Sequence, residues 1–478
     1  MQILNLINGQ LRPAQKGGWL HNIEPATGQV FAQIADSDAS DIELAVQAAQ
    51  AAFADWSQTD LDIRTACLER LSDLILRDLD KLAAAESQDN GKPLSLARSV
   101  DIPRAALNFR FFASAIQHFS SESHARAGYL NYTLRQPLGV GACISPWNLP
   151  LYLLSWKIAP ALATGNTVVA KASEVTPLTA FLLSELVLEA GFPAGVLNIV
   201  HGRGAQAGDA LTRHPLVKAV SFTGSTRTGA EIQRVTAGQF KKLSLEMGGK
   251  NAALIFADCD YQEMLETVVR SSFSNQGQIC LCTSRLLVER PLYERFCQDF
   301  VASVKALRQG DPLLDTTQQG AVVSAEHQQK ILNCIQQARA EGAQILCGGQ
   351  ASQLTGRCQD GYFVQPTVLA GLGPQSQTNQ QEIFGPVVSI QPFDNDSEAL
   401  GLANATDYGL AASLWTQDHS RVQSLTRALD AGIVWVNCWM VRDLRTPFGG
   451  VKDSGLGREG GWDALRFWTE PKNVCIAG

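Results

Sequence analysis

Residues 138–171 have the sequence LGVGACISPWNLPLYLLSWKIAPALATGNTVVAK, and their pattern decides the fold class. The apolar run 138–144 predicts a buried strand, and Thr167–Lys171 predicts a second one. Between them, residues 156–163 predict a helix that ends at Gly165. Two strands joined through a helix by short turns form a βαβ unit, which indicates a parallel sheet covered by helices.

The same alternation continues on both sides of this unit. Helices are predicted over residues 41–53, 63–87, 101–118, 177–190, 205–213 and 226–235. Strands are predicted over residues 196–200, 218–222 and 242–246. A second alternating block begins at residue 252, with helices predicted over residues 261–274, 292–307 and 422–429 and strands over residues 284–288, 411–416 and 432–437. We therefore predict an α/β fold of two doubly wound domains with a boundary near Gly248. A ligand crevice is expected where the strand ends of the two domains face each other.

Composition excludes several classes of protein. The 478 residues exceed what one hydrophobic core normally serves, which indicates two or three domains. With 39 Lys and Arg against 46 Asp and Glu, the net charge of −7 disfavours a nucleic-acid or anionic-membrane partner. The uncharged stretch 137–156 contains three prolines and is not a membrane span. The first residues lack a secretory signal pattern, and the odd count of eleven cysteines favours the reducing cytoplasm.

One cysteine lies in a loop rich in Gly, Gln and Asn, within residues 271–285 (SSFSNQGQICLCTSR). Cys280 follows a predicted helix and precedes a predicted strand. A free thiol has a pKa of about 8.5, so a nucleophilic role requires activation by its surroundings. The alternative is a buried structural cysteine. A metal site that pairs Cys280 with Cys282 is disfavoured, because no second pair with ligand spacing follows.

Two further segments carry polar groups that could serve such a thiol. In residues 242–251 (KLSLEMGGKN), Glu246 ends a strand and is followed by two glycines that permit close backbone approach. Asn148 lies between Pro146 and Pro150, so its amide is held in a fixed direction that suits an oxyanion donor. Taken singly, an ion-paired surface glutamate and a turn asparagine are the alternatives.

The sequences at the ends of two predicted strands indicate a nucleotide-binding site. In residues 220–229 (VSFTGSTRTG) a strand is followed by Gly224 and the start of a helix, where backbone N–H groups can face a phosphate. This motif is not G-x-G-x-x-G and is weak on its own. Glu174 follows Lys171 at the end of another strand. A carboxylate there accepts hydrogen bonds from both ribose hydroxyls and repels a 2′-phosphate, which favours NAD over NADP.

Together these motifs resemble those of the NAD(P)-dependent aldehyde dehydrogenase superfamily, from about residue 5 to the C-terminus. The matching segments occur in the family's order: PWN at 146–148, KASE at 171–174, FTGS at 222–225, LEMGGK at 245–250, GQIC at 277–280, EIFGP at 382–386 and PFGG at 447–450. One departure is Ala172, where the family usually has proline. We expect little effect, because Lys171 and Glu174 remain.

The resemblance implies a role for each matching position. Cys280 would attack the aldehyde carbon, Asn148 and the Cys280 N–H would bind the oxyanion, and Glu246 would activate the water that hydrolyses the thioester left after hydride transfer. The residues implied for NAD binding are Ile144, Trp147, Lys171, Glu174, Gly204, Gly224, Ser225, Gly229, Glu382 and Phe384. No metal is implied.

Two arginines indicate the class of aldehyde. The resemblance implies that Arg104 and Arg442 match positions that line the family's substrate tunnel, where relatives that act on apolar aldehydes carry Met or aromatic residues. Two guanidinium groups in one tunnel favour a substrate that carries a carboxylate. Either arginine could instead turn outward into an ion pair, and Arg110 and Arg445 are alternative candidates.

Local sequence around these arginines resembles the branch that oxidises 2-aminomuconate and 2-hydroxymuconate semialdehydes. We favour the 2-amino substrate; the alternatives are the 2-hydroxy form or another acidic aldehyde such as succinate semialdehyde. A non-catalytic protein that keeps the fold is the alternative from a different class, and a cysteine hydrolase is disfavoured because no histidine partner is indicated.

The resemblance also implies a domain organisation. It places an NAD-binding domain at residues 1–118 and 138–248 and a catalytic domain at residues 249–447. Residues 119–137 and 465–478 correspond to the family's small β oligomerisation element. An exposed strand near Val474 needs a partner, so a homodimer or homotetramer is expected.

Overall fold

A computed structural model describes all 478 residues and contains two large sheets flanked by helices. The first sheet has eight strands, in the spatial order Gly455–Leu456, Lys242–Glu246, Val217–Thr223, Val140–Ile144, Thr167–Lys171, Leu197–Ile199, Asn5–Ile7 and Gln10–Arg12. The second has seven strands, in the order Gln344–Cys347, Thr367–Ala370, Val387–Phe393, Arg285–Glu289, Ala252–Ile255, Ala411–Trp415 and Ile433–Val436. The central strands of both sheets are parallel, so the predicted α/β fold is confirmed.

The central strands are buried on both faces, which explains their continuous apolar sequences. Every residue of Val140–Ile144 and of Thr167–Lys171 is buried. The two strands pair in parallel, with Val140 opposite Thr167 and Ile144 opposite Lys171. Helices on both sides of a parallel sheet remove the solvent-facing side that would otherwise require alternating polar residues.

Sixteen α-helices cover the sheets. They are Ala39–Trp56, Leu61–Arg77, Leu79–Asn90, Leu94–Leu96, Ile102–Gln117, Pro150–Ala163, Leu178–Ala190, Asp209–Arg213, Thr226–Thr236, Tyr261–Phe273, Arg290–Lys305, Ala325–Ala340, Gln377–Gln380, Asp396–Asn404, His419–Ala428 and Gly461–Phe467. The single helix predicted over residues 63–87 is wrong, because two helices meet there at Asp78. The helix predicted over residues 205–213 begins as a π-helical turn at Gly204–Gly208. None of the helices combines the length and apolar content needed to cross a lipid bilayer.

Three smaller sheets complete the fold. Ser123–Arg126, Tyr129–Pro137 and Thr469–Ala477 form an antiparallel sheet whose residues are largely exposed. Gln2–Ile3, Trp19–Glu24 and Gln29–Ala35 form a second sheet, which the sequence analysis did not predict. Tyr408–Gly409 pairs with Val451–Lys452. The exposed sheet lies within the predicted oligomerisation segments, whose function remains a prediction.

The carboxyl ends of the first sheet's parallel strands meet at one edge. Phe222 lies opposite Ile144, and Thr223 lies opposite Glu246 in the neighbouring strand. The chain then crosses to the second sheet through residues 247–251, between Lys242–Glu246 and Ala252–Ile255. This crossing brings the second half of the chain to the same edge, where the candidate site lies. The proposed domain boundary at residue 248 falls within the crossing and remains a prediction.

Candidate active site

A cleft of about 680 Å³ opens at this edge between the two halves of the chain. Its walls include seven of the residues selected from the sequence, namely Trp147, Asn148, Gly224, Ser225, Cys280, Glu382 and Phe384. These residues come from segments that are far apart in the sequence. The fold therefore brings the predicted nucleophile, the predicted oxyanion donor and much of the predicted cofactor site into one cleft.

Cys280 lies in a loop held by buried amides. Asn275 and Gln276 adopt left-handed backbone conformations, with φ of 50° and 56°. Gln276 Nε2 donates a hydrogen bond to Ala321 O at 2.8 Å, and its Oε1 accepts one from Gly320 N at 3.1 Å. A Cβ atom on Gly277 would lie 2.2 Å from Gly385 O, so only glycine fits there. Such conformations persist only where surrounding contacts fix them, and here they set the position of the loop.

The surroundings of Cys280 favour the protonated thiol. Burial, followed by the negative charges of Glu382 and Glu246, raises the thiol pKa to about 12, and the Arg442 charge opposes this shift. Cys280 is partly exposed to the cleft, whereas Cys282, two residues on, is buried and its sulfur donates to the Ser274 carbonyl at 3.6 Å. At neutral pH in the absence of ligands the Cys280 sulfur is thus a thiol, and its reaction requires removal of the proton.

Asn148 is only 2% exposed, and its amide is oriented by the Cys280 loop. Its Nδ2 donates one hydrogen bond to Gln278 O at 2.9 Å. Asn275 Nδ2 donates to the Asn148 backbone carbonyl at 3.0 Å. A primary amide has two N–H groups, so the second hydrogen of Nδ2 remains for a ligand. The arrangement gives an oriented donor on the wall that also carries the sulfur.

Glu246 is buried at the end of its strand and is not part of the cleft wall. Neither of its carboxylate oxygens has a hydrogen-bond partner. Burial, and secondly the charge of Glu459, raises its pKa well above the usual value, while Lys157, Arg458 and Arg442 oppose the shift. The carboxyl therefore titrates at higher pH than a surface glutamate, in the direction required of a general base near neutrality.

Glu174 and Lys171 form an ordered polar pair at the end of the strand Thr167–Lys171. Lys171 Nζ donates to Glu174 Oε2 at 3.1 Å, and Gly204 N donates to Glu174 Oε1 at 2.9 Å. Gly204 and Ile144 line a second cleft of about 1190 Å³ beside the first. The predicted cofactor residues therefore extend over two neighbouring clefts rather than one.

The helix Thr226–Thr236 begins between the two clefts. Ser225 caps it by accepting a hydrogen bond from Thr228 N at 3.3 Å, and both Ser225 and Gly224 face the first cleft. Gly229 is buried, and a Cβ atom there would lie 2.3 Å from Met247 Sδ. Gly229 therefore permits close packing of the helix and does not itself line either cleft. A helix N-terminus with exposed N–H groups is suited to a phosphate.

Glu382 closes the first cleft from the second half of the chain. Its Oε1 accepts a hydrogen bond from Gly249 N at 2.9 Å, and burial raises its pKa to about 7. A Cβ atom on Gly248 would lie 2.1 Å from Oε2, so the backbone approaches the carboxyl as closely as glycine allows. Nearby, the Trp147 ring makes an edge contact with Phe384 at 5.2 Å between centroids.

These features form a consistent dinucleotide site. A carboxylate at one strand end suits a ribose, the helix start at Ser225 suits a pyrophosphate, and Glu382 suits a second ribose beside an aromatic wall. Thr223 Oγ1 is buried without a partner next to the same cleft. The residues present at these positions therefore fit NAD.

The four candidate arginines separate into two pairs. Arg110 makes an ion pair with Asp73, and Arg445 pairs with Asp443 at 2.6 Å, both on the exposed surface. Arg104 instead lies over the rings of Tyr152 and Trp156, at 5.2 and 5.4 Å from their centroids. Its Nη2 atom is buried and has no hydrogen-bond partner.

Arg442 lies close to Arg104 and to the Cys280 region. Its guanidinium is 4.0 Å from the centroid of Phe448 and 6.0 Å from that of Trp156. Burial lowers the pKa of Arg104, and the Arg442 charge adds to this effect; the same charge opposes the rise in the pKa of Cys280 and of Glu246. Arg104 and Arg442 thus form a region of positive charge next to the nucleophile, outside the walls of the cofactor cleft. Two neighbouring guanidinium groups without a carboxylate partner favour an anionic ligand.

Several residues of the site were not identified from the sequence. Met247, His327 and Lys330 line the first cleft, and Lys157 and Glu459 form a buried pair near Glu246. Met247 lies within the quoted segment 245–250 but was not singled out, and none of the quoted family motifs includes the other four positions. Each depends on a contact between segments far apart in the chain, such as the 2.8 Å bond that joins Lys157 to Glu459.

The fold and the cleft together define a class of enzyme. A doubly wound sheet that ends at a helix N-terminus, with a cysteine and an oriented amide in the same cleft, is the architecture of a dehydrogenase that uses a cysteine nucleophile. Comparison with known proteins identifies the family. The model of the aldehyde dehydrogenase family matches residues 12–474. The chain belongs to the aldehyde dehydrogenase family, and the prediction from the motifs is confirmed.

Relatives and solved structures agree with this family. The chain is 50% identical over 476 residues to 2-aminomuconic semialdehyde dehydrogenase of Danio rerio, covering 99% of this chain and 97% of the relative. It is 45% identical over 482 residues to 2-hydroxymuconic semialdehyde dehydrogenase of Pseudomonas sp. strain CF600, covering 99% of both chains. The NAD+ complex of a Bacillus cereus aldehyde dehydrogenase superposes with a TM-score of 0.97 at 38% identity, covering 100% of this chain and 97% of that one.

Proposed function

We propose that the protein oxidises a carboxylated aldehyde to the acid with NAD as the cofactor, through a thioester on Cys280. The observation that carries this proposal is the shared cleft, in which Cys280, the Asn148 amide, Glu382 and the start of the helix Thr226–Thr236 meet. Catalysis requires a nucleophile within reach of an oxyanion donor and of the cofactor.

In the first step the Cys280 thiol loses its proton to solvent, and the sulfur then attacks the aldehyde carbon to form a carbon–sulfur bond. The negative charge that develops on the aldehyde oxygen is stabilised by the Asn148 amide and by the Cys280 backbone N–H. Loss of one such donor typically slows a reaction by about 10²–10³-fold. NAD held by Glu174, Ser225 and Glu382 would supply the hydride acceptor for oxidation at this carbon, which would then remain bonded to sulfur as a thioester.

Hydrolysis of the thioester is assigned to Glu246. In its deprotonated form the carboxylate removes a proton from water, and the resulting hydroxide attacks the thioester carbonyl. The carbon–sulfur bond then breaks and releases the carboxylic acid. The departing sulfur takes up the proton that Glu246 removed from water, which regenerates the Cys280 thiol and the Glu246 carboxylate. The two oxygens of Glu246 have no hydrogen-bond partner in the protein and are therefore free to accept this proton.

The cofactor assignment to NAD is supported by Glu174. Its carboxylate is fixed by Lys171 and Gly204, where it can accept hydrogen bonds from the two hydroxyls of the adenosine ribose. A 2′-phosphate at the same position would meet a negative charge, which disfavours NADP. Glu382 would hold the second ribose.

For the substrate we propose 2-aminomuconate 6-semialdehyde, with 2-hydroxymuconate semialdehyde as the alternative. Both carry a carboxylate at the end opposite the aldehyde, and Arg104 and Arg442 are suited to bind it. The relatives from Danio rerio and Pseudomonas bear the names of these two substrates. Succinate semialdehyde has the same charge with a shorter chain.

The substrate assignment is tested with paired arginine variants. NADH formation is followed with 2-hydroxymuconate semialdehyde and with hexanal, which has no carboxylate. Arg104→Ala and Arg442→Ala should each raise KM for the acidic aldehyde by at least tenfold, since a hydrogen-bonded ion pair contributes about 1.5–3 kcal/mol. Arg110→Ala and Arg445→Ala remove exposed arginines and serve as matched controls. Equal KM values in all four variants, or a wild-type preference for hexanal, would disprove carboxylate recognition.

We also propose that the protein acts as a homodimer or homotetramer in the cytoplasm. Thr469–Ala477 pairs with Tyr129–Pro137 on one side only, and Leu130, Leu134 and Ile476 are exposed on this sheet. An unpaired strand edge next to apolar residues favours a second subunit. All eleven cysteines are free, as is common in a reducing compartment. Light scattering of the purified chain tests the subunit number, and a monomeric mass would contradict it.

A further inference from the structure

Asn108 is a completely buried polar residue next to the arginine that we assign to substrate binding. It lies on the helix Ile102–Gln117, one turn after Arg104, so the two side chains are on the same face. Its Oδ1 accepts a hydrogen bond from Arg104 Nε at 3.0 Å. Its Nδ2 donates to Tyr152 O at 3.1 Å and to Ser155 Oγ at 3.0 Å.

We propose that Asn108 is a positioning residue that determines specificity for a carboxylated aldehyde by fixing the orientation of the Arg104 guanidinium. The proposal rests on the proposed function, because it assumes that Arg104 binds the substrate carboxylate. Asn108 itself touches neither the substrate nor the reacting atoms. It acts through the single hydrogen bond to Nε.

The hydrogen bond decides which edge of the guanidinium is available. A guanidinium group presents its N–H donors in one plane, and a carboxylate can bind at an edge that includes Nε or at the edge formed by the two terminal nitrogens. Asn108 occupies Nε, so the terminal edge remains. There, Nη2 is buried and has no hydrogen-bond partner. We expect the substrate carboxylate at this terminal edge, where its entry must uncover the buried Nη2 donor.

Two aromatic rings border the Arg104 guanidinium group. Arg104 lies between contacts to Tyr152 and Trp156, and Arg442 contacts the same Trp156 ring. Tyr152 is also the residue whose carbonyl accepts from Asn108, so one helix, Pro150–Ala163, supports both the amide and the arginine. The aromatic contacts and the hydrogen bond from Nε to Asn108 together restrict the orientation of the guanidinium group.

The amide has chemical properties that neither a carboxylate nor an apolar residue would reproduce. An aspartate would also accept from Nε, but its charge would neutralise Arg104 and compete with the substrate. A leucine would leave Nε buried without an acceptor. An amide supplies an acceptor for Nε and a donor for the Tyr152 carbonyl, without adding charge.

Three variants test the proposal. Asn108→Leu removes the acceptor at similar volume, Asn108→Asp keeps the acceptor and adds charge, and Ser155→Ala is the matched control that removes another partner of the same amide. Each is assayed for kcat and KM with 2-hydroxymuconate semialdehyde and with hexanal, after thermal unfolding has shown a native transition. Both Asn108 variants should raise KM for the acidic aldehyde by about tenfold or more, with kcat and the hexanal constants within about twofold. Ser155→Ala should resemble wild type with both aldehydes.

The outcomes separate this inference from the proposed function. If wild type prefers the acidic aldehyde, Arg104→Ala abolishes the preference and both Asn108 variants retain it, the positioning role is wrong and the proposed function stands. If wild type shows no preference for the acidic aldehyde, the proposed function fails first. Equal losses with hexanal and with the acidic aldehyde would indicate that Asn108 supports only the fold, and would also overturn the proposal.

Discussion

The negative charge of Glu459 raises the pKa of the buried Glu246 carboxyl. Glu459 is held in place by Lys157 Nζ at 2.8 Å and by Ser221 Oγ at 2.8 Å, while its second oxygen is buried without a partner. The base assigned to thioester hydrolysis is therefore adjacent to a second acidic group. Burial is the larger cause of the raised pKa, and Glu459 adds to it.

Replacing Glu459 should change the pH dependence of the reaction. Glu246 is active only when deprotonated, so kcat falls as pH decreases through its pKa. Glu459→Gln removes the repelling charge and leaves Lys157 without its anionic partner, and both changes lower the pKa of Glu246. In a plot of kcat against pH, the acidic limb should therefore move to lower pH. The measurement is made under conditions in which thioester hydrolysis limits the rate.

Ser221→Ala is the control for this experiment. It removes a hydrogen bond to Glu459 and leaves the charge, so its pH profile should move less than that of Glu459→Gln. If the acidic limb of the kcat profile stays in place or moves to higher pH in Glu459→Gln, Glu459 does not control the ionisation of Glu246.

A methyl group at Gly248 should disturb cofactor binding. The Cβ atom of Gly248→Ala would lie 2.1 Å from Glu382 Oε2, so the carboxyl must move away from the cleft. We expect KM for NAD to rise about tenfold or more through loss of a charged hydrogen bond. Gly401→Ala is the control, because nothing lies within 4 Å of its added Cβ. An unchanged KM for NAD in Gly248→Ala would exclude Glu382 from the cofactor site.

Glu174 should determine the choice between NAD and NADP. Glu174→Gln removes the charge that repels a 2′-phosphate and weakens the contact with the ribose hydroxyls. The ratio of kcat/KM for NAD to that for NADP should fall by about tenfold or more. Glu185→Gln, which alters an exposed ion pair with Lys81, should leave the ratio unchanged. A constant ratio in Glu174→Gln would place the adenosine ribose elsewhere.

The structure also predicts a large difference between two lysines in their effect on stability. Lys92 is fully buried and pairs with Asp101 at 2.5 Å and with Glu86 at 3.4 Å. Lys92→Met leaves two buried carboxyls without a cation and should lower the free energy of unfolding by about 3–5 kcal/mol. Lys81→Met breaks an exposed pair and should cost less than about 1 kcal/mol. Urea denaturation measures both, and similar losses would contradict the assignment of Lys92 as a structural cation.

The pattern of the sequence was sufficient to predict the parallel central strands of the first sheet. Strands such as Val140–Ile144 are buried on both faces and therefore appear as apolar runs, and glycines such as Gly165 mark the helix ends. The sheet formed by Trp19–Glu24 and Gln29–Ala35 was missed, since its strands mix exposed polar and buried residues. The helix break at Asp78 was missed as well, because the apolar spacing continues across it.

Motifs identified candidate residues but not their contacts. Cys280 and Glu382 were selected because short segments around them resemble family motifs, and the fold brings both into one cleft. Asn108, Lys157 and Glu459 belong to no such motif. Their importance depends on which buried groups they meet, and those partners are distant in sequence or, for Asn108, on a second helix. The separation of Arg104 from Arg110 likewise required the positions of Tyr152 and Asp73.

The acylation of Cys280 is tested most directly by trapping the intermediate. Glu246→Gln should form the thioester and hydrolyse it slowly, so mixing it with NAD and 2-hydroxymuconate semialdehyde, followed by an acid quench, should preserve the adduct. Fragmentation of the peptide that contains both cysteines should place the acyl mass on Cys280 rather than Cys282, with a matching burst of NADH. Sustained turnover by Cys280→Ala, or NADH formation without an acyl group on this sulfur, would contradict the mechanism.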